Sequence, residues 1–324
     1  MYRPTSLELC AGGGGQAVGL ERAGFDHAAL FENDSAACNT LRLNRPEWQV
    51  HEHDLFQPFA FDHFKGTDLL AGGLPCPPFS IAGKQLGERD ERNLFSIGIQ
   101  IVDVVRPRAV MFENVKGMLG PAFVDYRLRI EAFLNKLGYT VQWKLLQAAD
   151  FGVPQLRPRV VLVALQSKFA DRFAWPESSG QRQHVGPALL DLMAARGWRG
   201  AHEWSASARA VAPTLVGGSK KHGGPDLGPT RARDAWAALG VNGKTIADQA
   251  PDPDFEGLPK LTLRMAARVQ GFPDGWGFWG GKTAAYRQIG NAFPPPVAEA
   301  VGRQIMSAIS GRRNVGQPHR IAAE

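Results

Sequence analysis

A cysteine clamped between prolines is the first feature with chemical consequence. In Leu70-Ala-Gly-Gly-Leu-Pro-Cys-Pro-Pro-Phe-Ser80, Pro75, Pro77 and Pro78 fix φ at their own positions and turn their predecessors away from helix. Cys76 therefore sits on a stiff loop just past a short apolar strand, Asp68 to Ala71. Open α/β sheets place their chemistry at such carboxyl ends, and a cysteine that only filled the core would not need that scaffold. A carboxylate of similar interest, Glu113, ends the otherwise apolar run Arg108-Ala-Val-Met-Phe-Glu-Asn-Val115. An unpaired buried charge is costly, so Glu113 must be paired, protonated or catalytic. Arg157 and Arg159 flank a proline in Asp150-Phe-Gly-Val-Pro-Gln-Leu-Arg-Pro-Arg159, and their spacing sets both on one side of an extended segment. Taken alone, that pair reads as a surface feature.

The elements that must position these groups are legible around them. Leu7-Glu-Leu-Cys-Ala-Gly-Gly-Gly-Gly15 reads as strand, glycine loop and then a helix from Gln16 to Ala23. Successive glycines let backbone approach a ligand, and the following helix offers free N–H groups. A second strand ends in Ala28-Ala-Leu-Phe-Glu32, where an acidic residue commonly accepts hydrogen bonds from ribose hydroxyls. Asp54 follows the next strand, in position to bind an adenine amino group. Each acid alone reads as a cap or a solvated residue; their succession at strand ends favours a nucleotide-type site.

Beyond Cys76, the charged and glycine-punctuated stretch Lys84 to Asn93 predicts a mobile loop over the site. Leu94 to Val105 has helical apolar spacing, and Arg108 to Val115 reads as a buried parallel strand. A helix from Tyr126 to Leu137 and strands Thr140 to Leu146 and Val160 to Leu165 follow. From Ser167 to Pro259 the periodicity breaks up, and Trp198, Trp204 and Trp236 provide a small core for an irregular second domain. Lys220, Lys221, His222, Arg231 and Arg233 are its local basic spots. Thr262 predicts an N-cap and Gly271 the stop of a helix. Ala285 to Val297 then opens a final helix running to Ile309, before a frayed polar tail.

With 324 residues, 44% apolar and 21% charged, the chain has room for one large α/β domain and a smaller one. A net charge of +6 is compatible with a polyanionic partner. Three cysteines (Cys10, Cys38 and Cys76) without framework spacing argue for a reducing compartment and no disulfides. No run is long enough to span a membrane, no Cys/His cluster has metal-ligand spacing, and the first residues read straight into a strand, leaving no room for a secretory leader.

Taken together, Ala11-Gly12-x-Gly14-Gly15, Pro75-Cys76-x-x-Phe79-Ser80, Glu113-Asn114-Val115, Gln155-x-Arg157-x-Arg159, Arg268-x-x-Gly271-Phe-Pro273 and Gly290-Asn291 resemble, in this order, the bacterial type of DNA (cytosine-5) methyltransferase. The resemblance covers all but the variable segment 167–259. It implies an α/β, doubly wound, Rossmann-like sheet binding S-adenosylmethionine (AdoMet), closed by a last helix returning to the first strand, with a smaller irregular target-recognition domain. The implied divisions are a catalytic AdoMet-binding domain over residues 1–166, a recognition domain over 167–259, a hinge over 260–283, a C-terminal segment over 284–310 that returns to the catalytic domain, and a flexible tail over 311–324.

By the same resemblance Cys76 is the nucleophile that adds to cytosine C6. Glu113 contacts ring N3 and the amino group, Arg159 holds O2, and Arg157 is a supporting member. No residue matches as the base that removes the C5 proton, and water is an alternative. Gly12, Gly14 and Gly15 would surround the methionine moiety of AdoMet, Glu32 the ribose, and Asp54 with Leu55 the adenine. Pro75 and Leu94 would line the pocket and Asn291 would close it. The chain departs from the family at Cys10 and Asn33, where aromatic residues are usual, so weaker or rearranged cofactor packing is expected.

The implied partner is duplex DNA carrying a short target, with G/C-rich palindromes only hinted at around Gly217 to Asp234. A monomeric cytoplasmic protein, with a restriction endonuclease acting separately and no metal, completes the picture. A tRNA methyltransferase is the nearest competitor, but the Cys-Phe-Thr motif of that branch is missing. A catalytically dead DNA-binding module would not need Cys76, Glu113 and Arg159 together. A nicotinamide-dependent enzyme leaves the Pro-Cys-Pro-Pro loop without a purpose.

Overall fold

The computed structural model describes residues 3–75, 94–218 and 224–311. Cys76, the Lys84 to Asn93 stretch, Lys220, Lys221, His222 and the tail after Gly311 lie outside the described residues. In chain order the elements are β1 (Thr5–Leu9), α1 (Gly15–Ala23), β2 (Asp26–Glu32), α2 (Ser35–Asn44), β3 (Val50–Glu52), β4 (Leu69–Gly72), α3 (Leu94–Val105), β5 (Ala109–Val115), α4 (Val124–Lys136), β6 (Tyr139–Gln147) and β7 (Pro158–Gln166). Then follow α5 (Ser167–Ala170), α6 (Val185–Ala194), α7 (Ala201–Ser207), α8 (Thr230–Ala237), α9 (Leu263–Gln270), α10 (Lys282–Asn291) and α11 (Pro295–Ser310).

Among the described residues the strands form one sheet in the order β3-β2-β1-β4-β5-β7-β6. Pairing is parallel from β3 through β5, whereas β7 runs antiparallel to both β5 and β6. The parallel strands need crossovers. The β6–β7 link, residues 148–157, holds only a short 3₁₀ turn and reverses the chain directly. The expected parallel strand at 108–115 is thus parallel on one edge and antiparallel on the other. The chain reverses its direction of winding between β1 and β4, which opens a crevice at their carboxyl ends.

Period-two alternation divides the core between the two faces of the sheet. Leu70, Val110, Phe112, Leu162 and Ala164 pack with Ile99 and Val102 of α3 and Leu134 of α4. Leu69, Ala71, Ala109, Met111, Val161 and Val163 face Leu20 of α1 and Val297, Val301 and Ile305 of α11. The return of α11 onto α1 rests on close backbone approach. A Cβ on Gly15 would lie 2.3 Å from Phe293 O, and one on Gly19 would lie 2.4 Å from Pro295 O.

The helical stretch expected from Ala285 to Ile309 comes in two pieces: α10 ends at Asn291 and α11, the closing helix, begins at Pro295. Pro294, Pro295 and Pro296 explain the break. Proline cannot donate within a helix but suits its first turn. Thr262 caps α9, its Oγ1 accepting from Met265 N at 3.2 Å, and Gly271 ends that helix in the left-handed conformation, φ 91°. Segment 167–259 carries the short helices α5 to α8 between irregular stretches. Trp198, Trp204 and Trp236 are buried there in a cluster that continues through Met265, Tyr286, Phe272 and Trp276 to Leu41 of α2. The tryptophans therefore belong to a core shared with the first half of the chain.

Candidate active site

A cavity of about 630 Å³ opens at the carboxyl ends of β1, β2, β4 and β5, a size suited to a drug-sized ligand. Its walls bring together most of the residues singled out from the sequence. Gly12 and Gly15 line it from the loop after β1, and Glu32 from the end of β2. Asp54 and Leu55 follow β3, Pro75 follows β4, Leu94 opens α3, and Asn291 ends α10. Gly14 does not line it: the space a side chain would take there is filled by Trp276 and Leu41.

Glu32 organises the first loop. Its Oε2 accepts from Gly12 N at 2.8 Å, while Oε1 accepts from Asn33 N at 2.9 Å and Asp34 N at 2.8 Å. A carboxylate has about four lone-pair sites, so three backbone bonds leave acceptor capacity facing the cavity. Burial raises its pKa and the backbone bonds oppose that rise. A Cβ at Gly12 would meet no atom within 4 Å, so the loop presents bare backbone to the cavity. Spare carboxylate capacity beside open backbone fits the ribose and methionine moieties of AdoMet. Asp54 Oδ1 accepts from Phe56 N at 3.1 Å, which orients its carboxylate at the rim.

The second half of the site stands on β5 and β7. Glu113 continues the face of Ala109 and Met111, and Arg159 continues that of Val161 and Val163, so both point to the same side of the sheet. Arg159 Nε lies 2.6 Å from Glu113 Oε1, and both side chains are largely buried. Desolvation raises the Glu113 pKa, against the pull of Arg159 and then Arg157. The pair stands next to Gly73, where a Cβ would be 3.4 Å from Glu113 Oε2. Asn114 Nδ2 donates to Leu74 O at 2.9 Å, tying the segment just before Cys76 to the strand that carries Glu113.

Arg157 and Arg159 reach different partners. Arg157 is fully buried at 1% exposure; its Nη1 donates to Leu215 O at 2.8 Å, and its Nη2 to Gly290 O at 2.8 Å and Ala292 O at 3.0 Å. Gln155 works beside it, donating to Gln270 Oε1 at 2.7 Å and accepting from Leu215 N at 2.8 Å. These two side chains knit β7, the segment around Leu215 and the α10–α11 break into one junction.

Of the cysteines, Cys10 and Cys38 are free thiols. Burial, then Glu32, pushes the Cys38 thiol up to about 12 and that of Cys10 higher still, so neither is a ready nucleophile. Cys10 lines the cavity and adopts φ 54°, unusual for a residue with a side chain. Asn33 also lines the wall.

A family model described as C-5 cytosine-specific DNA methylase matches residues 5–307. The chain belongs to that family. Two relatives named Type II methyltransferases agree with this. M.NaeI of Lentzea aerocolonigenes is 56% identical over 309 residues, covering 94% of this chain and 75% of the relative. M.NgoMIV of Neisseria gonorrhoeae is 55% identical over 311 residues, covering 94% and 98%. Among solved structures, a DNMT2 variant of Spodoptera frugiperda superimposes with a TM-score of 0.65 at 18% identity, covering 94% of this chain and 99% of that one, a likeness of fold. This methylase is therefore a DNA cytosine-5 methyltransferase, and its family uses AdoMet.

Sequence reasoning gave the methylase no role for Asn114, Gln155, Asp34, Arg287 or Glu8. Arg287 on α10 pairs with Asp34 Oδ2 at 3.2 Å, and both line the cavity. Glu8 lies in β1, fully buried, with neither carboxylate oxygen hydrogen-bonded, and it too lines the wall. The signal for Asn114 was its place beside Glu113. Arg287 and Asp34 are far apart in sequence and carried no local mark. Among the described residues no His/Cys/Asp/Glu group could hold a metal, and no helix is long and apolar enough to cross a membrane.

Proposed function

We propose that the chain methylates C5 of a cytosine flipped out of duplex DNA at a short specific sequence, reading that sequence with segment 167–259. The observation that carries this reading is the buried Glu113–Arg159 pair, which lines the same cavity as Leu74 and Pro75, the residues that lead to Cys76. A base inside a duplex cannot reach such a site without leaving the stack.

Cytosine C5 is too weak a nucleophile to take a methyl group unaided. The Cys76 thiolate adds to C6, and the electron pair displaced from the ring's C5–C6 bond makes C5 carbanion-like, dividing one hard step into easier ones. Glu113 hydrogen-bonds ring N3 and the amino group, where charge develops as C6 is attacked, and Arg159 holds O2. Arg157 supports the pair from the junction behind it. AdoMet, when bound, supplies the electrophilic methyl group. Loss of the C5 proton to a base then re-forms the C5–C6 double bond and expels the thiolate. Gly12, Gly14 and Gly15 shape the loop around the methionine moiety, Glu32 holds the ribose, and Asp54 and Leu55 the adenine. Pro75, Leu94 and Asn291 close the pocket.

The names of the two relatives, both Type II methyltransferases, support a place in a type II restriction–modification system; a monomeric methylase acting in the cytoplasm apart from its endonuclease is part of the same proposal. Purified protein, AdoMet and mixed-sequence duplex or tRNA, followed by bisulfite sequencing, tests the whole reading. Protected cytosines in one short DNA context, abolished by Cys76→Ser, are expected. Protection confined to tRNA, or none in either substrate, would overturn it.

A further inference from the structure

Among the described residues, three aromatic rings line the cavity: Phe31, His53 and Phe293. Two of them belong to the core. Phe31 is fully buried, with His51 stacked on it at 4.7 Å and Phe59 and Phe61 at 4.8 and 5.0 Å. Phe293 is buried in the cluster that α1 and α11 share. His53 is different. It is half-buried just past β3, and Phe59 at 5.2 Å and Phe31 at 6.2 Å meet its ring at interplanar angles of 62° and 82°, so neither lies flat on it. Its backbone N–H donates to Glu32 O at 2.8 Å and its Nε2 to Gln57 O at 3.2 Å, which fixes the place and tilt of the ring. Asp54 follows it in the chain, while Cys10 and Asn33 on the same walls carry no ring.

We propose that the imidazole of His53 stacks on the purine of AdoMet and supplies the aromatic contact for that base. This rests on the cofactor reading given above, in which Glu32 takes the ribose and Asp54 with Leu55 the adenine. Asp54 serves the edge of the base, whereas the faces of a purine gain by meeting another ring. A carbonyl can only accept, so Nε2 of His53 carries a proton and is engaged with Gln57 O. That bond lies in the ring plane and leaves the imidazole faces clear of it. With the residue held at its backbone and at Nε2, little rotamer freedom is left to lose when the cofactor arrives.

The test is calorimetry with S-adenosylhomocysteine, the demethylated product, on the full chain and its His53 variants. His53→Ala is expected to weaken the Kd about 10-fold, within the range that stacking of a base on an aromatic side chain contributes. His53→Phe keeps a ring and gives up the bond to Gln57 O; it should bind within about 3-fold of wild type. His53→Asn can keep a bond to that carbonyl but has no ring, and should be as weak as His53→Ala. This order separates stacking from a mere hold on residues 53–57. An alanine variant within about 2-fold of wild type, or affinity restored by asparagine and not by phenylalanine, would overturn the proposal with the cofactor reading intact. Should His53→Ala fail to fold, the other two variants decide: phenylalanine at least about 3-fold tighter than asparagine supports stacking, and a smaller or reversed difference overturns it. Failure of the wild type to bind S-adenosylhomocysteine at all would overturn the cofactor reading and this proposal with it.

Discussion

Arg159 Nε approaches Glu113 Oε1 to 2.6 Å although the antiparallel register sets Arg159 opposite Val115 and Glu113 opposite Val161. The pair is diagonal, a reach that long side chains manage between neighbouring strands. Both side chains are largely buried, so each is the other's main compensation. Glu113→Gln keeps an acceptor for the guanidinium. It is expected to lower the single-turnover methyl-transfer rate by about 10²–10⁴-fold with a small change in stability. Arg159→Ala leaves a buried carboxyl without its partner and is expected to cost about 3 kcal/mol in urea unfolding as well. Equal stability losses in the two variants would contradict this account.

The two arginines of one motif are expected to separate by what they hold. Arg157 binds three backbone carbonyls from two distant segments. Lysine cannot reproduce that fork. Arg157→Lys should therefore lower the melting temperature by several degrees and shift kcat only in proportion to loss of folded protein. Arg159→Lys should lower kcat with a nearly unchanged melting temperature. Thermal melts and initial rates on the same preparations check the split.

Stability should depend on pH through Glu8. Burial, helped by Glu32, raises its pKa well above the ordinary value near 4.5. Between the unfolded and folded values the native state binds the extra proton. Its contribution is fully present below the unfolded pKa and is lost as pH rises toward the folded pKa. Glu8→Gln removes this dependence. It is expected to melt about 2 °C or more above wild type at pH 8 and close to it at pH 4.5. A gap that does not widen between those two pH values would refute the assignment.

Cofactor affinity should respond to Glu32 more than to Asp54. Glu32 holds Gly12, Asn33 and Asp34 by their backbone N–H groups, so its loss unfastens the loop as well as one contact. Calorimetry with S-adenosylhomocysteine is expected to show a Kd at least about 100-fold weaker for Glu32→Ala and about 10-fold weaker for Asp54→Ala. The latter is the scale of one hydrogen bond to a charged group.

Much of this architecture is written locally in the chain. The strand ends at Glu32 and Glu113, the helix Leu94–Val105 and the cap at Thr262 each carry their own signal in spacing or residue type. The direction of β7 does not, because antiparallel pairing depends on what fills the link before it, and residues 148–157 read equally well as a loop to a parallel strand. The different fates of Arg157 and Arg159 were hidden for another reason: the carbonyls that Arg157 binds come from Leu215, Gly290 and Ala292, which only the folded chain brings near. Glu8 gave no sign either, since alternation puts a residue on one face of β1 without saying what covers that face.

The backbone contact between Gly217 and Gly290 bears on how such enzymes exchange targets. A Cβ on Gly290 would lie 2.4 Å from Gly217 N, and one on Gly217 would lie 2.5 Å from Arg287 O. On the proposed reading of segment 167–259 as the part that selects the target, a transplanted segment would have to arrive with a residue lacking Cβ at 217. Chimeras that place the splice point beyond Gly218 keep this seat from the host. Those spliced before Leu215 inherit it from the donor and will assemble only when the donor also has glycine there.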